Sequence, residues 1–255
     1  MKLFNDSKDL RWLFCMTHPD DEIAIGAWMR RLARNGNEIW SGWSVSTPER
    51  EAESRAVMKS YIGIPQEHLF FFYFPDGSAC EQLIRLTESW ANAIERADPD
   101  RIVVTAFECG HLDHDATNFA VYHAIQDKLK REVHILEVPL YHTYIDKIPV
   151  LNRFTSPENE EVIKLTEEER KFKKVLSRQY PSQRIASLLV YYHFWNWIQF
   201  KHPKLTSTER MRRQTHFDYM TPNLPEALKQ KVMKSEKWER WTQSVEKYKK
   251  EKMLV

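Results

Sequence analysis

Twice in this chain a short apolar run breaks into a stretch dense in histidine and aspartate, then resumes as an amphipathic, helix-like run. The first runs from Leu10 to Met16, through Thr17-His18-Pro19-Asp20-Asp21-Glu22, and on from Ile23 to Arg34. The second runs from Arg101 to Phe107, through Cys109-Gly110-His111-Leu112-Asp113-His114-Asp115, and on from Ala116 to Leu129. Such apolar runs read as buried strands and the periodic runs as helices. Strand-to-helix loops at the carboxyl edge of a parallel sheet are where open α/β folds bind ligands, so the pattern constrains fold and site together. Imidazoles and carboxylates at this density are what a divalent metal takes as donors. His18 and Asp21, three apart, can turn to one point. For the first loop alone there is an ordinary alternative, Pro19 at a turn with Asp20, Asp21 and Glu22 as first-turn acids favoured by the helix dipole. A second such loop argues against coincidence.

The rest of the chain keeps the same rhythm. Asn35-Gly36-Asn37 supplies a helix stop, and Glu38 to Ser46 a second strand. Thr47 as N-cap and Pro48 at the first position open a helix through Ile62, closed by Gly63. Leu69 to Phe74 is a third strand, followed by the turn Pro75-Asp76-Gly77-Ser78 and a helix from about Glu81 to Arg96. Val133 to Val138 is a fifth strand. This alternation predicts a Rossmann-like α/β fold, a mostly parallel sheet wound on both faces. With strand order 3-2-1-4-5, the first and fourth strands are neighbours at the reversal point. Their loops then bring His18, Asp20, Asp21, His111, Asp113 and His114 to one crevice. From Leu165 onward the texture is helical, with segments from Glu167 to Arg178, from Ser187 to Phe200, and a tail from Lys229 to Met253. We therefore expect a Rossmann-like core over 1–160 and a helical C-terminal extension over 161–255, packed on the same domain.

Charge and cysteine usage narrow the function classes. With 38 basic and 36 acidic side chains the net charge is +2, and no global field points to nucleic acid or an anionic membrane as partner. Cys15, Cys80 and Cys109 form no CxxC pair, which fits unpaired thiols in a reducing compartment. Lys2, Asp6, Lys8 and Asp9 precede the first apolar run, so no secretory signal is read there, and a cytoplasmic location is expected. The aromatic run Tyr191 to Trp197 reads as core or as a subunit contact, which makes a homo-oligomer plausible; a carbohydrate platform is the sharper alternative. His68, His123, His134, His202 and His216 lack clustered partners and read as core or surface histidines. His142, after the fifth strand, is on the functional edge.

At its two His/Asp clusters the sequence resembles the LmbE-like, or PIG-L, family of zinc-dependent N-deacetylases. The resemblance spans roughly residues 10 to 145 and rests on His18-Pro19-Asp20-Asp21-Glu22, on Gly110-His111-x-Asp113-His114, and on the Asp76-Gly77 turn. It implies that His18, Asp21 and His114 hold a zinc or another divalent transition metal, with Asp20 as general base. It implies too that His111 stabilises the oxyanion or protonates the leaving amine, that Asp113 orients or tunes a histidine, and that Arg50 sits near the substrate. Gln183, in Tyr180-Pro-Ser-Gln183, resembles a short segment of some members. The implied substrate is a small N-acetylated molecule, an amino sugar or a sugar conjugate. Many relatives carry glycine where this chain has Cys109, whose thiol either approaches the metal or packs under the His111 turn.

The chemistry is consistent with those roles. Amide hydrolysis needs an activated water, and a zinc with three protein ligands and one open position lowers the pKa of its water toward about 7. A carboxylate beside the ligands accepts the proton, and a histidine across the carbonyl steadies the developing charge. Two rival classes remain: an amidase of the same family cutting a non-sugar amide, and a non-catalytic metal- or nucleotide-binding α/β module. Against a nucleotide, the first loop lacks Gly-x-Gly-x-x-Gly and places acids where phosphates would sit.

Overall fold

The computed structural model of the chain describes residues 2–142, 150–198 and 207–253. Strand β1, Arg11–Met16, carries five apolar side chains in a row, and only a strand covered on both faces buries such a run. Leu13 and Cys15 enter one core with Ile102 and Val104, whereas Trp12, Phe14 and Met16 enter the other with Val103. This is the period-two alternation of a strand at the centre of a sheet.

β1 pairs in parallel with β2 (Glu38–Val45) on one side and β4 (Arg101–Thr105) on the other. Next to these lie β3 (Leu69–Phe74) and β5 (His134–Val138), so the first five strands take the expected order 3-2-1-4-5. One face is covered by α1 (Gly26–Arg34), by α5 (Glu167–Leu176), and by the π turn Met58–Ile62 that continues α2 (Pro48–Val57). The other is covered by α3 (Leu83–Ala97), α4 (Leu112–Lys128) and α8 (Glu236–Met253). Thr47 caps α2 by accepting from Arg50 N at 3.3 Å, with Pro48 at the first position. Gly42 in β2 is where a side chain would not fit: a Cβ there would lie 2.9 Å from the Trp90 ring of α3.

The sheet continues beyond β5 in a way the helical reading of the last third does not anticipate. Thr208–Arg213 is a strand, β9, antiparallel to β5 and to β8 (Glu160–Lys164), which ends the seven-stranded sheet. Four of the six residues of β9 are charged, which masks any strand pattern in the sequence. Those charges are paired inside the protein. Glu209, fully buried, accepts from Ala27 N at 2.9 Å and Trp28 N at 2.8 Å, at the amino end of α1, and pairs with Lys173 Nζ at 2.9 Å. Arg212 Nε lies 2.6 Å from Glu137 Oε2 of β5.

Three smaller elements complete the chain. β6 (Tyr141–His142) and β7 (Val150–Leu151) form a two-stranded ribbon, and α6 (Ile185–Ile198) follows α5. The tail read as one helix is two, α7 (Glu226–Val232) and α8, because Ser235 breaks the run and its hydroxyl accepts from Trp238 N. Among the described residues no helix is long and apolar enough to cross a membrane. His202 and the side chain of His142 lie outside the described residues.

Candidate active site

Both loops leave the carboxyl ends of adjacent strands, β1 and β4, at the reversal point of the sheet. After Met16 the chain turns through Pro19 and Asp20, where Asp21 N donates to His18 O at 3.1 Å and Ile23 N to Asp20 O at 3.0 Å. Asp20 holds φ 118°, a region non-glycine residues rarely occupy. What keeps it there is Glu22. This carboxylate is fully buried and accepts from Asp20 N (2.8 Å), Trp43 Nε1 (3.2 Å), Ser54 Oγ (3.1 Å) and the Tyr180 hydroxyl. Glu22, which the sequence leaves open between a loop partner and a dipole-favoured first-turn acid, is the anchor of the loop.

Asp21 is tied differently. Its Oδ2 accepts from Thr17 N at 3.0 Å and His18 N at 2.8 Å, while Oδ1 lies 3.7 Å from His114 Nε2. His18 lies among three carboxylates: Nδ1 is 3.9 Å from Asp21 Oδ2, and Nε2 is 3.5 Å from both Asp76 Oδ1 and Asp113 Oδ2. Donor atoms of His18, Asp21 and His114 all lie within 4.8 Å of one another, and all three residues are buried. His18, Asp76, His111 and Asp113 form a second such group that shares His18.

The second loop starts its helix earlier than the apolar periodicity suggests. α4 begins at Leu112, with His111 as N-cap, its Nδ1 accepting from Asp113 N at 3.2 Å. Asp113, His114 and Asp115 therefore stand in the first helical turn, where successive side chains point about 100° apart. That separation turns Asp113 toward His18 and His111, the latter 4.0 Å from its Oδ2, while His114 points at Asp21. Asp113 is itself fixed by Gly77 N (2.6 Å) and Ala79 N (3.0 Å) of the turn after β3, and Gly77 takes φ 78°. Asp115 does not cap the helix. Its Oδ1 accepts from Glu108 N and Cys109 N, closing the loop in front of α4. The Cys109 thiol belongs to neither group of potential ligands, and Cys109 lines a pocket with Trp238 and Trp241 instead.

Arg50 reaches the site from the start of α2. Its Nη1 is 3.2 Å from Asp76 Oδ2, and its Nη2 donates to Gln183 Oε1. The Tyr180–Gln183 segment is thus bound at three points, through Tyr180 to Glu22, Ser182 to Glu53, and Gln183 to Arg50. Two residues were not singled out as site members from the sequence. Asp76 was visible only as part of a turn motif, and Tyr141, whose ring centroid is 5.2 Å from that of His114, carried no signal.

Electrostatics separate the three histidines. Burial works against charge on His18, but Asp113 and Asp76, with Asp21 and Asp20 behind them, outweigh it and raise its pKa to about 10. His114 is pushed well down by burial and then by His18 and His111. His111 is lowered by burial and by His18, so it is neutral near pH 7. Because its Nδ1 accepts from a backbone amide, the proton of neutral His111 sits on Nε2. Asp20 is raised well above the ordinary carboxylate value by burial, then by Asp21 and Glu22.

A cleft opens beside Asp20 and Asp21. Its wall is apolar, made by Ile23, Leu140, Leu151, Ile185, Leu188 and Leu189, with Tyr141 at the histidine end. Its empty space, ≈ 810 Å³ including open solvent, is on the scale of small-molecule sites.

A Rossmann-like sheet with a buried His/Asp/His cluster at its topological switch point defines a class of α/β proteins built to act at that crevice. Residues 13–125 match the family PIG-L, described as GlcNAc-PI de-N-acetylase. Solved structures share the fold. A zinc-inhibited form of teicoplanin deacetylase Orf2 is 15% identical, with TM-score 0.55, over 80% of this chain and 98% of that one. The A40926 pseudoaglycone deacetylase Dbv21 is 17% identical, with TM-score 0.58, over 80% and 96%. GalB, the 4-carboxy-2-hydroxymuconate hydratase from Pseudomonas putida KT2440, is 10% identical, with TM-score 0.50, over 80% and 95%. At these identities the likeness is one of fold, and a hydratase among the neighbours means that the fold alone does not set the reaction. No curated protein matches the chain.

Proposed function

We propose that the protein is a metal-dependent N-deacetylase that hydrolyses the acetamide of a small amino sugar or sugar conjugate. The observation that carries this reading is the cluster of His18, Asp21 and His114 at the crevice, with Asp20 at the same cleft. Its donor set suits zinc or a similar ion. His114 Nε2 is buried without a hydrogen-bond partner and faces Asp21 Oδ1, and His18 turns its Nδ1 toward Asp21 Oδ2 at 3.9 Å. Buried imidazole nitrogens without partners are costly unless something takes their lone pairs. A divalent ion, when bound, supplies the Lewis acidity that amide hydrolysis at neutral pH needs.

The remaining roles belong to the chain's own side chains. Asp20, at the cleft and with raised proton affinity, accepts the proton of the attacking water. His111, neutral with its proton on Nε2, donates to the oxygen of the amide carbonyl as it becomes an oxyanion. Asp113 and Asp76 orient His18 through its Nε2. Arg50, held by Asp76 and Gln183 and joined to His18 through Asp76, is the side chain that would hydrogen-bond a polar part of the substrate. The apolar wall of the cleft supports a second reading of the substrate, an amide whose non-acetyl part is hydrophobic and is not a sugar.

The test is acetate release from a panel of N-acetylated sugars, sugar conjugates and hydrophobic acetamides, before and after chelation and with zinc restored. Release that chelation abolishes and zinc restores supports the reading. Turnover insensitive to chelation, or absent from every acetamide, overturns it.

A further inference from the structure

α6 is anomalous for a surface helix. Its 14 residues include no charged side chain. Six large apolar residues on it, Leu188, Val190, Tyr191, Phe194, Trp197 and Ile198, are between 45% and 70% exposed. At 100° per residue, five of them fall on one broad arc running from Trp197 and Val190 through Phe194 to Ile198 and Tyr191, and Leu188 lies at its edge. Tyr192, on another side of the helix, is buried. A contiguous exposed apolar face of this kind marks a docking surface.

The charge that flanks α6 in sequence indicates what docks there. Residues 170–208 contain eight lysines and arginines and not one aspartate or glutamate. Arg170, Lys174, Arg178 and Arg184 are exposed and have no acidic side chain at ion-pair distance among the described residues. The near-zero net charge of the chain is an average that conceals this segregation. An apolar helix face rich in Tyr, Phe and Trp and flanked by basic side chains is the pattern of a helix lying in the interface of an anionic bilayer. At about 1.5 Å per residue the described length of α6 is roughly 21 Å, short of the hydrocarbon core of about 30 Å. A second copy of the chain is a poorer occupant, because two such faces would bring like charges together.

We propose that α6 docks this protein on an anionic lipid surface, with its exposed aromatic face in the headgroup region and the flanking arginines and lysines against lipid phosphates. The inference does not depend on the deacetylase reading. Because Ile185, Leu188 and Leu189 of α6 also line the cleft beside Asp20 and Asp21, docking would set the mouth of that cleft at the lipid surface.

The test is co-sedimentation of the full chain with vesicles of mixed phosphatidylglycerol and phosphatidylcholine, and of phosphatidylcholine alone, at low and high salt. We expect at least about tenfold stronger partitioning to the anionic vesicles, weakened by salt. Phe194→Glu and Trp197→Glu, at exposed positions, should each lower that partitioning about tenfold with an unchanged thermal midpoint. Three results would overturn the proposal: no vesicle binding by the wild type, equal binding to neutral vesicles, or binding that neither variant weakens. A stable dimer that dissociates in Phe194→Glu would assign the face to a second copy instead.

Discussion

Glu22→Ala is the perturbation that tests the architecture of the site most directly. The carboxylate has four donors, Asp20 N, Trp43 Nε1, Ser54 Oγ and the Tyr180 hydroxyl, and Glu22 itself is fully buried. Each buried donor left without an acceptor costs about 1–3 kcal/mol. The Ser54 hydroxyl can rotate to another acceptor, and losing a carboxylate whose pKa burial has raised returns part of its desolvation cost. Counting two donors as stranded, the net loss is about 3 kcal/mol. For a chain of this size that is a fall in melting temperature of roughly 6–12 °C. Glu22→Gln keeps the volume and one acceptor oxygen and should lose about half as much. Thermal unfolding by calorimetry gives the midpoint, and acetate release measured well below it gives turnover. Because Asp20 sits at φ 118° with its amide on Glu22, turnover should fall in both variants although no proposed metal ligand is altered. A midpoint within about 2 °C of wild type in Glu22→Ala would refute the claim that this residue anchors the loop.

Three further outcomes follow from the geometry. Asp20→Asn should retain bound metal by elemental analysis while turnover drops about 10²–10⁴-fold; loss of metal instead would make Asp20 a ligand. His114→Ala should lose most of its metal by the same measurement, and full occupancy would remove His114 from the ligand set. His123, whose pKa burial lowers from 6.5 to about 4, stays neutral in the folded state while the unfolded chain takes up a proton below pH 6.5. The unfolded state then binds more protons across pH 4 to 6.5, so stability rises with pH over that window and is lost as the pH is lowered through it, and His123→Phe should flatten this part of the profile in denaturant titrations.

The relation between sequence and site differs from one residue to the next. His18, Asp21 and His114 were legible because each lies at the junction of an apolar strand and a helix, and period-two burial in β1 and β4 places those junctions side by side. Asp76 showed only as a turn residue because its neighbours in the site, His18 and Arg50, come from other loops, and local pattern does not carry those contacts. Tyr141 follows β5 with nothing beside it in sequence to mark it. The first turn of α4 escaped periodicity because Leu112 to Asp115 is buried or partly buried all round, and His111, an unusual cap, replaces the Ser, Thr, Asp or Asn that signals a helix start.

By itself the sequence determined the parallel order of the first five strands and the pair of loops at the reversal point. Hydrophobic periodicity is a local property, and right-handed crossovers leave few ways to assemble it. Only the tertiary structure decided which atoms face which. Asp113 reaches His18 and His111 because one helical step turns it away from His114. Glu22 became an anchor because Trp43, Ser54 and Tyr180 arrive from three distant segments. β9 joined the sheet because its charges found buried partners in Lys173, Glu137 and the amide groups of α1. Each of these depends on pairings across long stretches of chain, and the composition of a single segment does not encode them.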